Sequence, residues 1–224
     1  MALKLKTAPA VQAISLADVK TYLRIGDSDD DTLLNRLIDA AVRNVEEYIT
    51  RAMIQQTWTL WLDRFPAKER RDAPTEGLYQ LPVGFFDVAR RTIELPRPPL
   101  ISVNFLKTYD TASTAATFDA SRYYVDSASE PGRIALNSGE TWPAGPFREV
   151  NAVEIEFVAG YGAADTDILA IHREALAETV KYFYSLKTRQ FEGGESRLLL
   201  EINSKAELPE NVRQMLNPFR IQRL

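Results

Sequence analysis

The chain of 224 residues contains no cysteine. This absence excludes disulfide bonds, thiolate ligands for a metal ion and a cysteine nucleophile. No apolar run approaches the roughly 20 residues that a membrane-spanning helix needs, and residues 1–12 lack the apolar stretch of a signal peptide. The formal net charge is −4, which does not favour general attraction to nucleic acid. These absences predict a protein without a membrane segment.

Recognisable catalytic motifs are also missing. His172 is the only histidine, and its place beside the apolar residues of a predicted helix indicates a packing or surface role. The sequence has no G-x-S-x-G elbow and no glycine-rich phosphate loop. Glu154 and Glu156 could in principle serve a carboxylate-dependent hydrolase, but a solvated strand face is the simpler interpretation. We therefore expect no enzymatic activity, no metal and no cofactor.

Two helices are predicted near the N-terminus. Ser15 and Asp18 resemble a capping box, and Gly26 is expected to end the first helix. The acidic turn 27–31 is interpreted as an N-cap with charges that favour a helix N-terminus, rather than as a calcium loop. A long amphipathic helix then continues to about Arg51.

The rest of the chain predicts an α+β fold, in which an antiparallel β region is inserted into a helical core. The expected parts are an N-terminal helical part of the core (1–53), the inserted β region (54–160), a third core helix (161–190), and a mobile segment with a C-terminal helical docking tail (191–224). The core therefore combines two N-terminal helices with a later long helix.

The ordered set of motifs resembles the tailed-phage head–tail connector (adaptor) family, in its longer members with a β insertion. The matching segments are residues 15–25, 29–34 and 37–41 near the N-terminus, 97–103, 123–126, 133–134 and 155–162 in the β region, and Pro209 with 216–220 at the end.

The resemblance implies a structural virion protein of a phage, prophage or gene transfer agent. Such adaptors form a ring under the portal protein, commonly of twelve identical subunits, and bind a stopper or tail protein. They extend the DNA channel, and DNA passes through without being specifically bound. The expected location is the particle neck, after assembly in the bacterial cytoplasm. A protein-binding adaptor unrelated to virions is the alternative.

Three sets of residues are predicted to contact partners or DNA. The portal-binding set lies in the C-terminal tail: Arg213, Leu216, Pro218, Phe219, Arg220 and Arg223. Phe85 and Phe86 are predicted to contact a neighbouring subunit or the tail. Asp39 and Glu46 are predicted to line the channel, because an acidic wall does not retain DNA phosphates.

Overall fold

A computed structural model describes residues 1–66, 68–70, 87–89, 91–193 and 208–221. The chain forms two compact units. The β unit consists of Met1–Ala8 and Thr57–Ala159, and the helical unit consists of Pro9–Gln56 and Gly160–Leu224. The fold is α+β with antiparallel strand pairs, as the sequence predicted.

Among the described residues, the helical unit contains four α-helices: α1 (Leu16–Leu23), α2 (Asp31–Ile49), α3 (Ala170–Gly193) and α4 (Glu210–Leu216). Their apolar faces meet in one core, because residues three or four apart lie on the same side of a helix. Its fully buried members include Leu34, Ile38, Val45, Leu176, Val180, Val212 and Leu216. The third helix extends past the expected end at residue 190.

Of the two predictions for the ends of α1, the one for the N-terminal end is confirmed and the one for the C-terminal end is wrong. Ser15 caps the helix as predicted, because its hydroxyl accepts the Asp18 backbone N–H at 3.1 Å and donates to the Asp18 carboxylate at 2.8 Å. The expectation for Gly26 is wrong. Arg24 takes the left-handed conformation, with φ of 58°, and closes the helix two residues earlier.

The acidic turn supplies the N-cap residue of α2 and an acid in its first turn, as predicted, and it also links α2 to other helices. Asp30 occupies the N-cap position, but its side chain makes no capping hydrogen bond. It accepts the Tyr184 hydroxyl of α3 at 2.6 Å, and this hydrogen bond, followed by burial, raises the pKa of Tyr184 to about 12. Asp31 pairs with Lys20 of α1 at 2.7 Å. The start of α2 is therefore held by two neighbouring helices.

The described part of the β unit forms a five-stranded sheet with the order β1-β2-β10-β6-β7, a three-stranded sheet with the order β5-β9-β8 and the pair β3-β4. The strands are β1 (Ala2–Thr7), β2 (Gln56–Leu62), β3 (Lys68–Arg70), β4 (Asp87–Ala89), β5 (Thr92–Glu94), β6 (Leu100–Tyr109), β7 (Ala115–Thr117), β8 (Tyr123–Asp126), β9 (Arg133–Leu136) and β10 (Val153–Ala159). Leu60, Leu106 and Ile155 are fully buried. Strands β8 and β9 pair as an antiparallel hairpin.

Strand β1 was not expected from the sequence. It pairs with β2 in antiparallel register, with Leu3 opposite Leu60 and Leu5 opposite Trp58. Residues 1–8 therefore belong to the β unit, and not to the helical part expected at 1–53. The signal was the short alternation of leucines with Lys4 and Lys6, which matches the two-residue period of a strand.

Gly160 lies where the chain passes from β10 to the helical unit. Its φ of +137° is a conformation that side-chain-bearing residues rarely adopt. A Cβ atom there would lie 2.5 Å from the Ile54 carbonyl carbon. Only glycine allows this close approach, in which Tyr161 N–H donates to the Met53 carbonyl and Gln55 N–H donates to the Gly162 carbonyl.

Candidate partner-binding site at the C-terminal segment

Helix α4 packs one side into the core of its own helical unit. Leu208, Val212 and Leu216 are spaced by four residues, so they lie on one face of the segment. Leu208 is 5% exposed, and the other two are fully buried. Leu216 is therefore not a surface anchor in this structure, and the expectation that it contacts the portal is corrected. The reason is that the helix is too short to be stable alone and buries its apolar side on the nearest available core.

The residues that follow α4 contact the end of α2. The Tyr48 hydroxyl donates to the Asn217 side-chain oxygen at 2.6 Å. Arg51 Nε donates to the Phe219 carbonyl at 2.7 Å, and Ile221 N–H donates to the Ile49 carbonyl at 3.3 Å. These hydrogen bonds fix the path of residues 217–221 over the helical unit.

A buried histidine lies beneath this segment. The His172 ring meets the Phe219 ring edge-on at 4.7 Å and the Tyr161 ring edge-on at 5.3 Å. His172 is fully buried, and neither ring nitrogen has a hydrogen-bond partner among the described residues. Burial and then the nearby Arg51 charge lower the pKa of His172 to about 4. The ring is therefore neutral at pH 7, and its role is packing.

Other members of the predicted portal-binding set lie at the surface. Pro218 and Arg220 are exposed, and Arg213 and Phe219 are half-buried. The Arg220 guanidinium lies over the Tyr48 ring, 5.2 Å from its centre, and Arg213 pairs with Glu210 at 2.9 Å. Arg223 lies outside the described residues. The structure therefore brings together an exposed arginine and proline on a segment whose apolar residues are already packed.

The two predicted channel residues lie in different environments. Asp39 is exposed on α2. Glu46 is half-buried, and its carboxylate accepts the Met53 backbone N–H at 2.7 Å and the Gln56 side chain at 2.8 Å. These bonds give Glu46 a structural role in joining α2 to the segment before β2. For Asp39, a position on the wall of the DNA channel stays a prediction.

The predicted phenylalanine contact surface cannot be placed, because Phe85 and Phe86 lie outside the described residues. The strands on either side of that region, β3 and β4, pair in antiparallel register.

The two glutamates considered for hydrolysis have structural partners in the β unit. Glu154 accepts the Tyr109 hydroxyl. Glu156 is 7% exposed and binds Lys6 and the Asn104 side chain. Both carboxylates are therefore held by neighbouring side chains of the sheet.

Two absences concern only the part of the chain that the structure describes. No group of three or more histidine, aspartate or glutamate side chains there could hold a metal ion. Within the same ranges, none of the helices is long and apolar enough to span a membrane.

Sequence reasoning missed Tyr48 and Arg51, which contact the C-terminal segment as His172 does. It also missed Tyr161, which contacts His172 and Arg51. Tyr48 lies in the last turn of α2, and Arg51, which is buried, follows the end of that helix by two residues. Nothing in the sequence identifies residues 217–221 as the segment that they contact. Their contact depends on chain segments about 170 positions apart.

The sequence comparison gives one family match. Residues 13–84 match the model of the family described as phage gp6-like head-tail connector protein. No curated protein sequence is significantly similar to the chain. The matched region contains α1 and α2, which carry the N-terminal motifs of the resemblance.

The fold comparison extends over the whole chain. The chain is similar to a chain from the neck of an empty gene transfer agent (GTA) particle computed with C6 symmetry, with a TM-score of 0.68. It is also similar to chains from the virion of a native GTA particle and from the neck of a native GTA particle computed with C12 symmetry, both with a TM-score of 0.66. Each match has 20% identity and covers 100% of this chain and 97% of the other. The resemblance inferred from the motifs is confirmed.

Proposed function

We propose that this chain, which matches the head–tail connector family in sequence and GTA neck chains in fold, is a structural adaptor of a phage-like particle. In this role it forms a ring under the portal protein and extends the DNA channel. Its other side receives a stopper or tail protein. The observation that carries the proposal is the full-length match to neck chains together with the family match over residues 13–84.

The chemistry of the described residues supports a structural role. The only histidine is buried and neutral, and the paired glutamates of the sheet are held by structural partners. The net charge of −4 suits passage of DNA, because binding to phosphates depends on lysine and arginine contacts. The proposed adaptor therefore acts by assembly and has no catalytic step.

Removing the gene for this chain from cells that make the particles tests the proposal. Portal-bearing heads should form and package DNA, and tails should accumulate unattached, because the link between them is missing. Electron microscopy of the released particles gives the readout, and expression of the intact chain in trans is the control. Normal tailed particles without the chain would contradict the proposed function.

We also propose that the exposed side of the C-terminal segment contacts the portal. Pro218 and Arg220 are its exposed members, and Arg213 and Phe219 border them. Arginine is enriched among residues that dominate interface energies. The buried side of the same segment holds it in place, so the contact surface is preformed.

The charge reversal Arg220→Glu should abolish attachment to portal-bearing heads and leave the fold intact. In the free chain it removes only an exposed contact with the Tyr48 ring, worth about 0.5–1 kcal/mol. Co-sedimentation with purified tailless heads measures attachment, and thermal unfolding measures stability. Arg43→Glu, which reverses an exposed charge on α2, is the matched control. Wild-type attachment by the Arg220 variant would exclude the contact.

A further inference from the structure

The five-stranded sheet of the β unit has two different free edges. Strand β1 forms one edge and β7 the other, and no described residue pairs with the outer side of either strand. All three residues of β7 are exposed, as are five of the six residues of β1. We propose that β1 of one copy pairs with β7 of the next copy, so that the sheet continues between subunits. This inference rests on the proposed ring of identical adaptors.

The β7 edge lacks the usual protection against pairing. Natural edge strands are commonly guarded by lysine, proline or bulges. Residues 111–118 contain only threonine, alanine, serine and one phenylalanine, so no charge or proline guards this edge. Its side chains are small, and a second strand can approach its backbone closely.

Hydrogen bonds at the two ends of β7 identify which of its backbone groups point outward. Phe118 N–H donates to the Leu106 carbonyl, and Asp110 N–H donates to the Thr114 carbonyl. Inward and outward groups alternate along an antiparallel strand. Residues 114, 116 and 118 therefore face β6, and Ala115 and Thr117 direct their N–H and carbonyl groups away from the sheet.

The charges near the two edges are complementary. Asp110 and Asp119 are exposed and stand on either side of β7. On β1, Lys4 is exposed and has no ion-pair partner among the described residues, whereas Lys6 pairs with Glu156. An acidic edge and a basic edge on one sheet favour contact between unlike edges of two copies over contact between like edges.

Pairing between unlike edges explains ring formation. A contact that uses the same surface twice closes as a dimer, whereas a head-to-tail contact generates a ring when its rotation closes. Because β7 has three residues, the edge contact is short and contributes little affinity alone. Rings are therefore expected to form where a portal gathers the subunits, and the free chain is expected to stay monomeric at micromolar concentration.

Engineered cysteines test the pairing cleanly, because the natural chain has none. Lys4→Cys and Thr117→Cys are introduced together, the protein is incorporated into particles in cells lacking the natural chain, and a short bifunctional thiol reagent is added. We expect a ladder of linked subunits on a denaturing gel. Either single variant should remain monomeric. Lys4→Cys with Tyr124→Cys is the control, because Tyr124 is 67% exposed on β8, which belongs to the three-stranded sheet and forms neither edge of the five-stranded sheet.

The outcomes separate this inference from the proposed function. If particles contain the double variant but show no ladder, the edge pairing is wrong and the adaptor role stands. Dimers from Thr117→Cys alone would also overturn the pairing, because they require two like edges to meet. If the chain is absent from particles, the adaptor role fails. The same reaction on the purified double variant at millimolar concentration then decides the pairing: a ladder supports it and its absence overturns it.

A substitution that removes an outward backbone N–H of β7 tests the same pairing in a second way. Ala115→Pro removes an outward N–H and keeps the hydrogen bonds to β6, so it should prevent the ladder in the double-cysteine chain. Ala115→Val retains the N–H and should permit the ladder. A ladder of equal intensity in both variants would exclude β7 as the paired edge.

Discussion

A chain that ends before Leu208 should lose much of the helical structure of its helical unit. The truncation removes Leu208, Val212 and Leu216, whose side chains are 5% exposed or less, and it exposes the apolar surface of α2 and α3 that they cover. Burial of each such side chain contributes about 1.5–3 kcal/mol. The total is comparable with the whole stability of a typical domain, about 5–15 kcal/mol.

The distribution of tryptophan allows the two units to be followed separately. Trp58, Trp61 and Trp142 all lie in the β unit, so their fluorescence reports that unit, and circular dichroism at 222 nm reports mainly the helices. Truncation should decrease the helical signal and leave the tryptophan emission near that of the intact chain. An unchanged helical signal and unchanged thermal unfolding would contradict the observed packing.

Single substitutions refine this prediction. Leu216→Ala should destabilise the helical unit by about 2–5 kcal/mol, because it leaves a cavity in a fully buried position. Arg220→Ala, four residues further along the same segment and exposed, should cost less than about 1 kcal/mol. Equal effects of the two substitutions would show that the segment does not pack as described.

The second large effect is a loss of folding stability at acidic pH. The folded chain holds His172 neutral with a pKa of about 4, whereas the unfolded chain binds a proton near the ordinary value of 6.5. Between these values the unfolded state carries more protons, so stability decreases as pH falls from about 6.5 towards 4 and the loss is complete below that range. At pH 5 the loss is about 2 kcal/mol.

Urea unfolding at pH 7.5 and pH 5 measures this loss. His172→Leu removes the titrating group from a fully buried site, and because His172 is the only histidine, no other imidazole contributes in this range. The natural chain should lose about 2 kcal/mol more than the variant between the two pH values. The comparison uses the change with pH, so a different absolute stability of the variant does not affect it. Parallel loss in both proteins would contradict a neutral, buried histidine.

The elements with long, regular patterns could be predicted from the sequence. The apolar period of α2 and the alternation in β10 identified both elements, because burial of one face imposes that period. The motifs around α1 and α2 also gave the resemblance to the head–tail connector family, whose model matches residues 13–84. Strand β1 was missed because it has only six residues, and its alternation of apolar and polar residues is weak. Its pairing partners in β2 lie 50 to 59 positions away.

The residues that cap α1 and α2 could not be predicted fully from the sequence, because contacts between helices decide their conformations. Gly26 is the residue best suited to a left-handed conformation, yet Arg24 adopts it. Asp30 is a favoured N-cap residue, yet its carboxylate binds Tyr184 of α3. In both cases the preference of the residue is worth about 1 kcal/mol or less, and packing between helices decides the outcome.

The packing of the C-terminal segment, which carries the candidate site, could also not be predicted from the sequence. The sequence predicted a short helix with an apolar side, and the structure contains that helix. An apolar side can cover the chain's own core or a partner, and the sequence does not distinguish the two. The structure buries Leu216 in its own core, which moves the proposed portal contact to Pro218 and Arg220 on the opposite side.

The proposed function places a ring of copies of this chain between the portal and the tail. Electron microscopy of purified particles, with a peptide tag inserted after Gly145 in the exposed loop between β9 and β10 and a tag-specific antibody fragment as the marker, tests it most directly. The account predicts labels only at the neck, directly beneath the portal. Labels on the capsid surface or the distal tail, or unlabelled particles from cells in which all copies carry the tag, would contradict it.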